Sequence, residues 1–232
     1  MILAVIPARA GSKRIKNKNI KKFFGKPIIS YSISQALKSK IFDKVIVSTD
    51  SDKIANISER YGATVMFKRP KKLSGDIVMP RPVMVHAIKW IEKNVSKIDY
   101  ACLIYPTAPM IESADIVKAY KKIKNENWDY VFSAQKFSFP IQRSFYKKAN
   151  QSLEMLFKNN YNKRSQDLKE VYRDAGQFYW SKPKTWLSKK EIFTNKSTIH
   201  LIKSLNAHDV DTKDDWKILE KLYKLKNKIG LT

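Results

Sequence analysis

"ILAVIPARAGSKRIKNKNIKKFFGKPIISYSISQALKS" (residues 2–39) opens on an unbroken apolar run, crosses a loop crowded with cations and ends on an amphipathic repeat. The run 2–8 suits a strand buried on both faces. From residue 27 the period changes: Ile29, Ile33, Ala36 and Leu37 share one helical face, with Pro27 placed for the first turn. The same change then repeats along the chain. "KVIVSTD" (44–50) reads as a strand and "SDKIANISERYG" (51–62) as a helix, capped by Ser51 or Asp50 and closed by Gly62. "ATVMFKR" (63–69), "YACLIYPT" (100–107) and "DYVFSAQKF" (129–137) read as further strands. Helices are expected over 81–94 and over 113–125, the second capped by Ser113. This alternation predicts an α/β fold, a doubly wound, mainly parallel, open sheet. Ligands of such sheets bind outside the carboxyl ends of the strands. The cationic loop after residue 8 therefore stands where a ligand is expected.

Over 138–175 the rhythm breaks into short strand-like pieces and turns, which suits an inserted β-hairpin arm. Alternation resumes with the strand "GQFYWS" (176–181), the helical "KPKTWLSKK" (182–190), the strand "TIHLIKSL" (198–205) and a last helix from about residue 213. No repeat or linker divides the chain, so residues 1–232 read as one domain carrying the arm.

Lys and Arg number 46 against 21 Asp and Glu, a net charge of +25, and 43% of residues are hydrophobic, enough apolar surface for a folded core. Lysines are scattered through nearly every segment. A nucleic-acid footprint would gather arginines and exposed aromatics on one patch, so a solvated basic surface is the reading, with no nucleic-acid partner. Cys102 is the lone cysteine, inside an apolar strand, and reads as a buried, inert thiol of a reducing compartment. The chain starts on a strand rather than a signal sequence, and no apolar run approaches the ~20 residues of a membrane span. A cytoplasmic protein without a membrane partner is expected.

Three stretches carry chemistry. In the opening loop Arg9, Lys13, Arg14, Lys16 and Lys18 surround Gly11 and Ser12, a composition that suits a phosphate cradle or a solvated loop. Neither G-x-G-x-x-G nor a Walker A motif is present. In "NAHDVDTKDDW" (206–216), Asp209 and Asp211 lie two apart, so in extended chain both carboxylates face one side. That arrangement suits Mg²⁺ or a helix start, and Thr212 with Asp215 has capping-box-like spacing. In "RSQDLKEVYRDAGQFYW" (164–180), Arg164 and Arg173 suit an anionic group, whereas Phe178, Tyr179 and Trp180 read mainly as strand core.

"IPARAGSKRIKNKNI", "VIVSTDSDKIA", "KRP", "YPTAP", "RSQDL…YRDAGQFYW" and "DVDTKDDW", in this order, resemble the acylneuraminate cytidylyltransferases over almost the whole chain. "FSFPIQR" and "RSQDL…DAGQFYW" place the likeness nearest the pseudaminic acid branch. The resemblance implies a Rossmann-like nucleotidyltransferase fold with a dimerising arm, and transfer of CMP from CTP to the anomeric hydroxyl of a nonulosonic acid with release of pyrophosphate. It matches Arg9, Ala10, Gly11, Ser12, Lys13, Lys18 and Asn19 to the CTP loop, with Lys18 nearest the reacting phosphate, and Arg69 to the cytosine and ribose. It further matches Asp209 and Asp211 to Mg²⁺, and Arg164 and Arg173 to the sugar side, where Gln142, Arg143 and Tyr179 are further candidates. Arg9, Lys18 and Asp211 are the expected catalytic residues, and a homodimer is expected in which each arm reaches its partner's site.

Some positions depart from the pattern. Ala10 stands where many members have a second glycine, Tyr105 where sialic-acid members have glutamine, and 74–82 lacks expected threonines. The alternatives are the same reaction on N-acetylneuraminic acid or Kdo, a family member without turnover, and, in another class, a basic nucleic-acid-binding module.

Overall fold

In the computed structural model, which describes residues 1–228, the opening apolar run is β1 (Ile2–Pro7), whose Leu3, Ala4, Val5 and Ile6 are fully buried. Two short strands, β2 (Lys22–Phe23) and β3 (Lys26–Pro27), form a small antiparallel pair before α1 (Ile29–Lys38). Then follow β4 (Lys44–Ser48), α2 (Asp52–Arg60), α3 (Pro80–Asn94), β5 (Tyr100–Ile104), α4 (Ser113–Asn125) and β6 (Tyr130–Lys136). The arm holds β7 (Phe145–Lys147) and β8 (Leu153–Met155), an antiparallel hairpin. The chain closes with β9 (Tyr172–Ser181), α5 (Pro183–Leu187), β10 (Ser197–Leu201) and α6 (Lys213–Lys228).

Six strands make the central sheet in the order β10-β6-β9-β5-β1-β4. β1 runs parallel to β4 and β5, and β10 parallel to β6, whereas β9 is antiparallel to both its neighbours. One face packs Ile29 and Ile33 of α1 with Ile116, Ala119 and Ile123 of α4, and the other packs Met84, Ile88 and Ile91 of α3 with Trp186 of α5. The sheet is thus covered on both sides, as its continuous apolar strands require. Cys102 lies in β5 with no exposure, and burial pushes its thiol well up from the ordinary value.

The structure corrects several local readings. Residues 63–69 do not form a strand. They make two isolated bridges, Ile46–Thr64 beside β4 and Thr49–Lys68 just after it, while Met66 and Phe67 pack beside α3, with Phe67 5.2 Å from Trp90. Pro27 ends β3 and precedes the first turn of α1, where the Ser30 hydroxyl donates to its carbonyl at 2.7 Å. Leu37 is 42% exposed rather than core, and its Cδ1 lies over Gly62, where an added Cβ would meet it at 2.9 Å. Ser51 caps α2, accepting from Ile54 N–H at 3.4 Å. Ser113 is the first helical residue of α4 rather than its cap. Residues 172–175 belong to β9, so the irregular arm ends before them.

β6 leaves the sheet at its carboxyl end and the chain returns as β9, which must therefore run the opposite way. Between Phe132 and Ala134 the register shifts: Phe132 faces Tyr179 while Ala134 faces Asp174, so β9 bulges. Gly176, at φ +60°, makes this bulge, and the Ser133 hydroxyl accepts from both Gln177 N–H and Phe178 N–H at 3.2 Å.

Candidate active site

The opening loop and the distant aspartate pair meet in one apolar cluster. Ile15 from the loop and Val210 from between the aspartates are buried together with Phe23, Ile28, Met110, Trp216 and Leu219. Burying Val210 turns Asp209 and Asp211 outward on the same side, as alternation along an extended chain requires. The chain after them is locked by a capping box. Thr212 N–H and hydroxyl donate to Asp215 Oδ2 at 2.7 and 2.8 Å, Asp211 N–H donates to the same oxygen at 3.0 Å, and Asp215 N–H returns to Thr212 Oγ1 at 3.1 Å. These bonds, the Thr212 hydroxyl first, hold the Asp215 carboxyl below its ordinary value. Here the capping reading and the outward aspartates prove compatible, because different residues serve each.

Lys18 joins the two segments. Its Nζ donates to Val210 O at 2.7 Å and stands 3.3 Å from Asp211 Oδ1, which also pairs with Arg14 at 3.0 Å. Asn19 is buried and donates to Arg9 O at 2.9 Å, closing the loop on itself. Ala10 N–H is used by Asp50 Oδ1 at 3.0 Å, and Arg9 donates to Gly11 O at 3.0 Å. Arg9 and Lys13 both reach Asp76, Lys13 at 2.7 Å. Lys16 is exposed and makes no ion pair among the described residues.

A cleft opens beside this loop, lined by Arg9, Ser12, Lys18, Asn19, Arg69 and Tyr105, with Val78 and Val83 on its apolar side. Arg69 is 4% exposed, and its Nε and Nη2 have no hydrogen-bond partner. Burial pulls its guanidinium below the ordinary value, with Asp50 opposing. A buried cation with unused donors facing a cleft is costly to the fold unless a ligand completes it. Tyr105 is pushed up to about 12 by burial and then by the charges of Asp174, Asp209 and Asp211, so it stays a neutral hydroxyl.

The sugar-side candidates separate. Arg173 ties the site together, donating to Gln135 Oε1 at 2.9 Å and to Ala207 O at 2.9 Å. Tyr179 is 4% exposed, its ring against Tyr105 and Phe132 and its hydroxyl donating to Asp174, so it is core rather than a contact surface. Gln142, Arg143 and Arg164 lie in the arm and, among the described residues, bond only arm residues: Lys169 O, Lys163 O and Asp167. Within one chain they are not brought to the cleft. Asp50 was read only as a candidate helix cap, and Asp76 and Asp174 were not singled out in the sequence. Asp50 closes the second strand at the sheet's ligand edge, which was the available signal.

Asp209 and Asp211 offer hard carboxylate oxygens. No group of three His, Cys, Asp or Glu side chains is placed to hold an ion among the described residues. Two carboxylates with water and phosphate oxygens filling the remainder is a donor set that Mg²⁺ accepts.

The family model described as cytidylyltransferase matches residues 3–228. The chain belongs to the cytidylyltransferase family. This cytidylyltransferase is 40% identical over 223 residues to the pseudaminic acid cytidylyltransferase of Campylobacter jejuni, covering 96% of each chain. It is 29% identical to the N-acylneuraminate cytidylyltransferase of Escherichia coli, covering 98% of this chain and 53% of that protein. In fold it is similar to a CMP:2-keto-3-deoxy-manno-octonic acid synthetase solved with CTP, with a TM-score of 0.69 at 15% identity over 97% of this chain and 99% of that one. Among the described residues of the enzyme, no helix is long and apolar enough to cross a membrane.

Proposed function

We propose that this cytidylyltransferase moves CMP from CTP to the anomeric hydroxyl of pseudaminic acid, in the cytoplasm, releasing pyrophosphate. The observation that carries the reaction is the Lys18 bridge, which sets a cationic loop against an outward aspartate pair beside a cleft. The choice of sugar is supported by the similarity along nearly the whole chain, which is higher to the pseudaminic acid enzyme than to the N-acylneuraminate enzyme.

In this reading the loop 9–19 holds the triphosphate and Lys18 neutralises charge that builds on the α-phosphate. Arg69 completes its unused donors on the cytidine. Asp209 and Asp211 would hold Mg²⁺, which when bound supplies charge stabilisation to the phosphate oxygens. Asp211 Oδ1 is already shared by Lys18 and Arg14, which leaves Oδ2 towards the ligand, and Asp211 helps take the proton from the anomeric hydroxyl, directly or through water. The sugar oxygen then attacks the α-phosphorus, the bond to the β-phosphate breaks, and pyrophosphate leaves with the electron pair. Arg173 positions the segment before Asp209 through Ala207.

A panel of CTP with purified pseudaminic, N-acetylneuraminic and Kdo acids, read by pyrophosphate release and product mass, tests the proposal. CMP-pseudaminic acid should dominate. Faster turnover of N-acetylneuraminic acid would overturn the sugar assignment, and no product with any of them would overturn the reaction.

Arg69→Met should raise the CTP KM by about tenfold or more, because a charged hydrogen-bond donor to the ligand is lost. The same change should leave the melting temperature equal or higher, since it removes a buried cation with unpaired donors. A melting temperature that falls while KM stays constant would make Arg69 purely structural.

The arm is proposed to dock on a second copy of the chain. Phe139, Phe145, Tyr146, Leu153 and Tyr161 are 83, 58, 60, 61 and 71% exposed there, an apolar display that favours burial against another protein. Docking would also bring Gln142, Arg143 and Arg164 towards the partner's cleft. Light scattering at micromolar concentration should give the dimer mass, and a monomer mass would contradict the arm's role.

A further inference from the structure

Two cations of the opening loop rest on a single carboxylate. Arg9 Nη1 pairs with Asp76 Oδ1 and Lys13 Nζ with Asp76 Oδ2, the second at 2.7 Å. Asp76 sits in the short turn after η-helical residues 71–73, where Val78 N–H bonds Gly75 O at 3.3 Å. This turn hangs over the cleft: Val78 lines it beside Arg9, Ser12 and Lys18. Its neighbours are poorly anchored. Ile77 is 93% exposed and Met79 70%, so the ion pairs to the loop are the main polar hold on this turn. Lys13, then Arg9, keeps the Asp76 carboxyl below its ordinary value, and it therefore stays an anion at neutral pH.

A phosphate placed on Arg9 and Lys13 would seek the same donors that Asp76 uses. A phosphate and the Asp76 carboxylate on the same two cations repel each other, so each weakens the other's hold. We propose that Asp76 is an internal competitor for the outer phosphates of CTP, a carboxylate that contends with a bound ligand for Arg9 and Lys13 and thereby weakens the hold on CTP and on the leaving pyrophosphate while leaving CMP untouched. This rests on the reading of 9–19 as the phosphate loop. CTP brings enough charge to replace Asp76 on both cations. CMP, whose one phosphate lies at Lys18, does not reach them and gains nothing from the exchange. Asp76 thus sets how firmly the outer phosphates are gripped at the edge of the site, and the weakly anchored turn lets it withdraw.

Isothermal titration of the full chain and of Asp76→Asn decides the matter, with Mg²⁺-CTP, CMP and inorganic pyrophosphate as separate probes. Asp76→Asn should bind CTP and pyrophosphate about fivefold or more tightly than the parent chain, the scale that one or two exposed ion pairs supply, with CMP changed less than about twofold. In a Lys13→Ala background the gain should shrink, because half of the competition is already gone. Affinity for CTP and pyrophosphate that is unchanged or weaker in Asp76→Asn would overturn the proposal and make Asp76 a support for Arg9 instead. An equal gain for CMP would overturn the assignment of this competition to the outer phosphates. If the parent chain binds pyrophosphate but not CTP, the nucleotide reading of the loop fails, while the pyrophosphate ratio still decides Asp76. A parent chain that binds neither overturns both.

Discussion

Lys18→Met should reduce kcat/KM by about 10³-fold, the scale of losing a preorganised charge from a site of phosphoryl chemistry. Lys18 Nζ lies within 2.7 Å of Val210 O and 3.3 Å of Asp211 Oδ1, with the side chain only 21% exposed, so its position is fixed before any ligand arrives. Methionine keeps the length and apolar stem but not the charge. The loss should fall mainly on kcat, because the charge that Lys18 meets grows in the transition state. Arginine at this position should restore only part of the rate, since its planar fork does not fit where a compact ammonium bonds one carbonyl and one carboxylate. The melting temperature separates this from a structural role. Ile15 and Val210 pack together without help from Lys18, so the fold should survive its removal. A variant that melts early and keeps its kcat would reverse the assignment.

Asp211→Asn carries the second large effect. Asparagine preserves the shape and can still accept from Lys18 and Arg14, but it removes a charge and a proton acceptor. Turnover at saturating CTP and Mg²⁺ should fall by about 10³-fold, and more Mg²⁺ should not restore it. Binding should move the other way. With the counter-charge gone from beside Lys18 and Arg14, the local potential becomes more positive, so CTP measured without divalent ions should bind as tightly as before or more tightly. Near-normal turnover in Asp211→Asn would exclude the proposed proton acceptor. A parallel loss of affinity and rate would point to a collapsed loop instead.

The alternation of strands and helices was legible because buried parallel strands and amphipathic helices leave different periods in the chain. Strand direction leaves no such trace: β9 is composed like the other strands of the sheet, and only the return from the arm makes it run antiparallel to both its neighbours. Residues 63–69 have a strand's composition, yet Phe67 finds better packing beside Trp90 than in a sheet edge. In the candidate site, the pair Asp209 and Asp211 could be read from spacing, with Val210 as the buried residue between them. The contact of Val210 with Ile15 could not, since it joins opposite ends of the chain. Tyr179 matched a sugar-side position but is buried, as its aromatic run suggested. Asp50 was read as a possible cap rather than a partner of the loop, and Asp76 was overlooked, because a single aspartate beside a loop shows its role only once its partners are known.

The most direct test is a crystal structure of the chain soaked with CTP and Mn²⁺, with the metal located by its anomalous signal. The triphosphate should lie on Arg9, Lys13 and Lys18, the cytidine against Arg69, and the metal peak between the carboxylates of Asp209 and Asp211. A nucleotide bound away from the 9–19 loop, or a metal held without either aspartate, would contradict the site described for this enzyme.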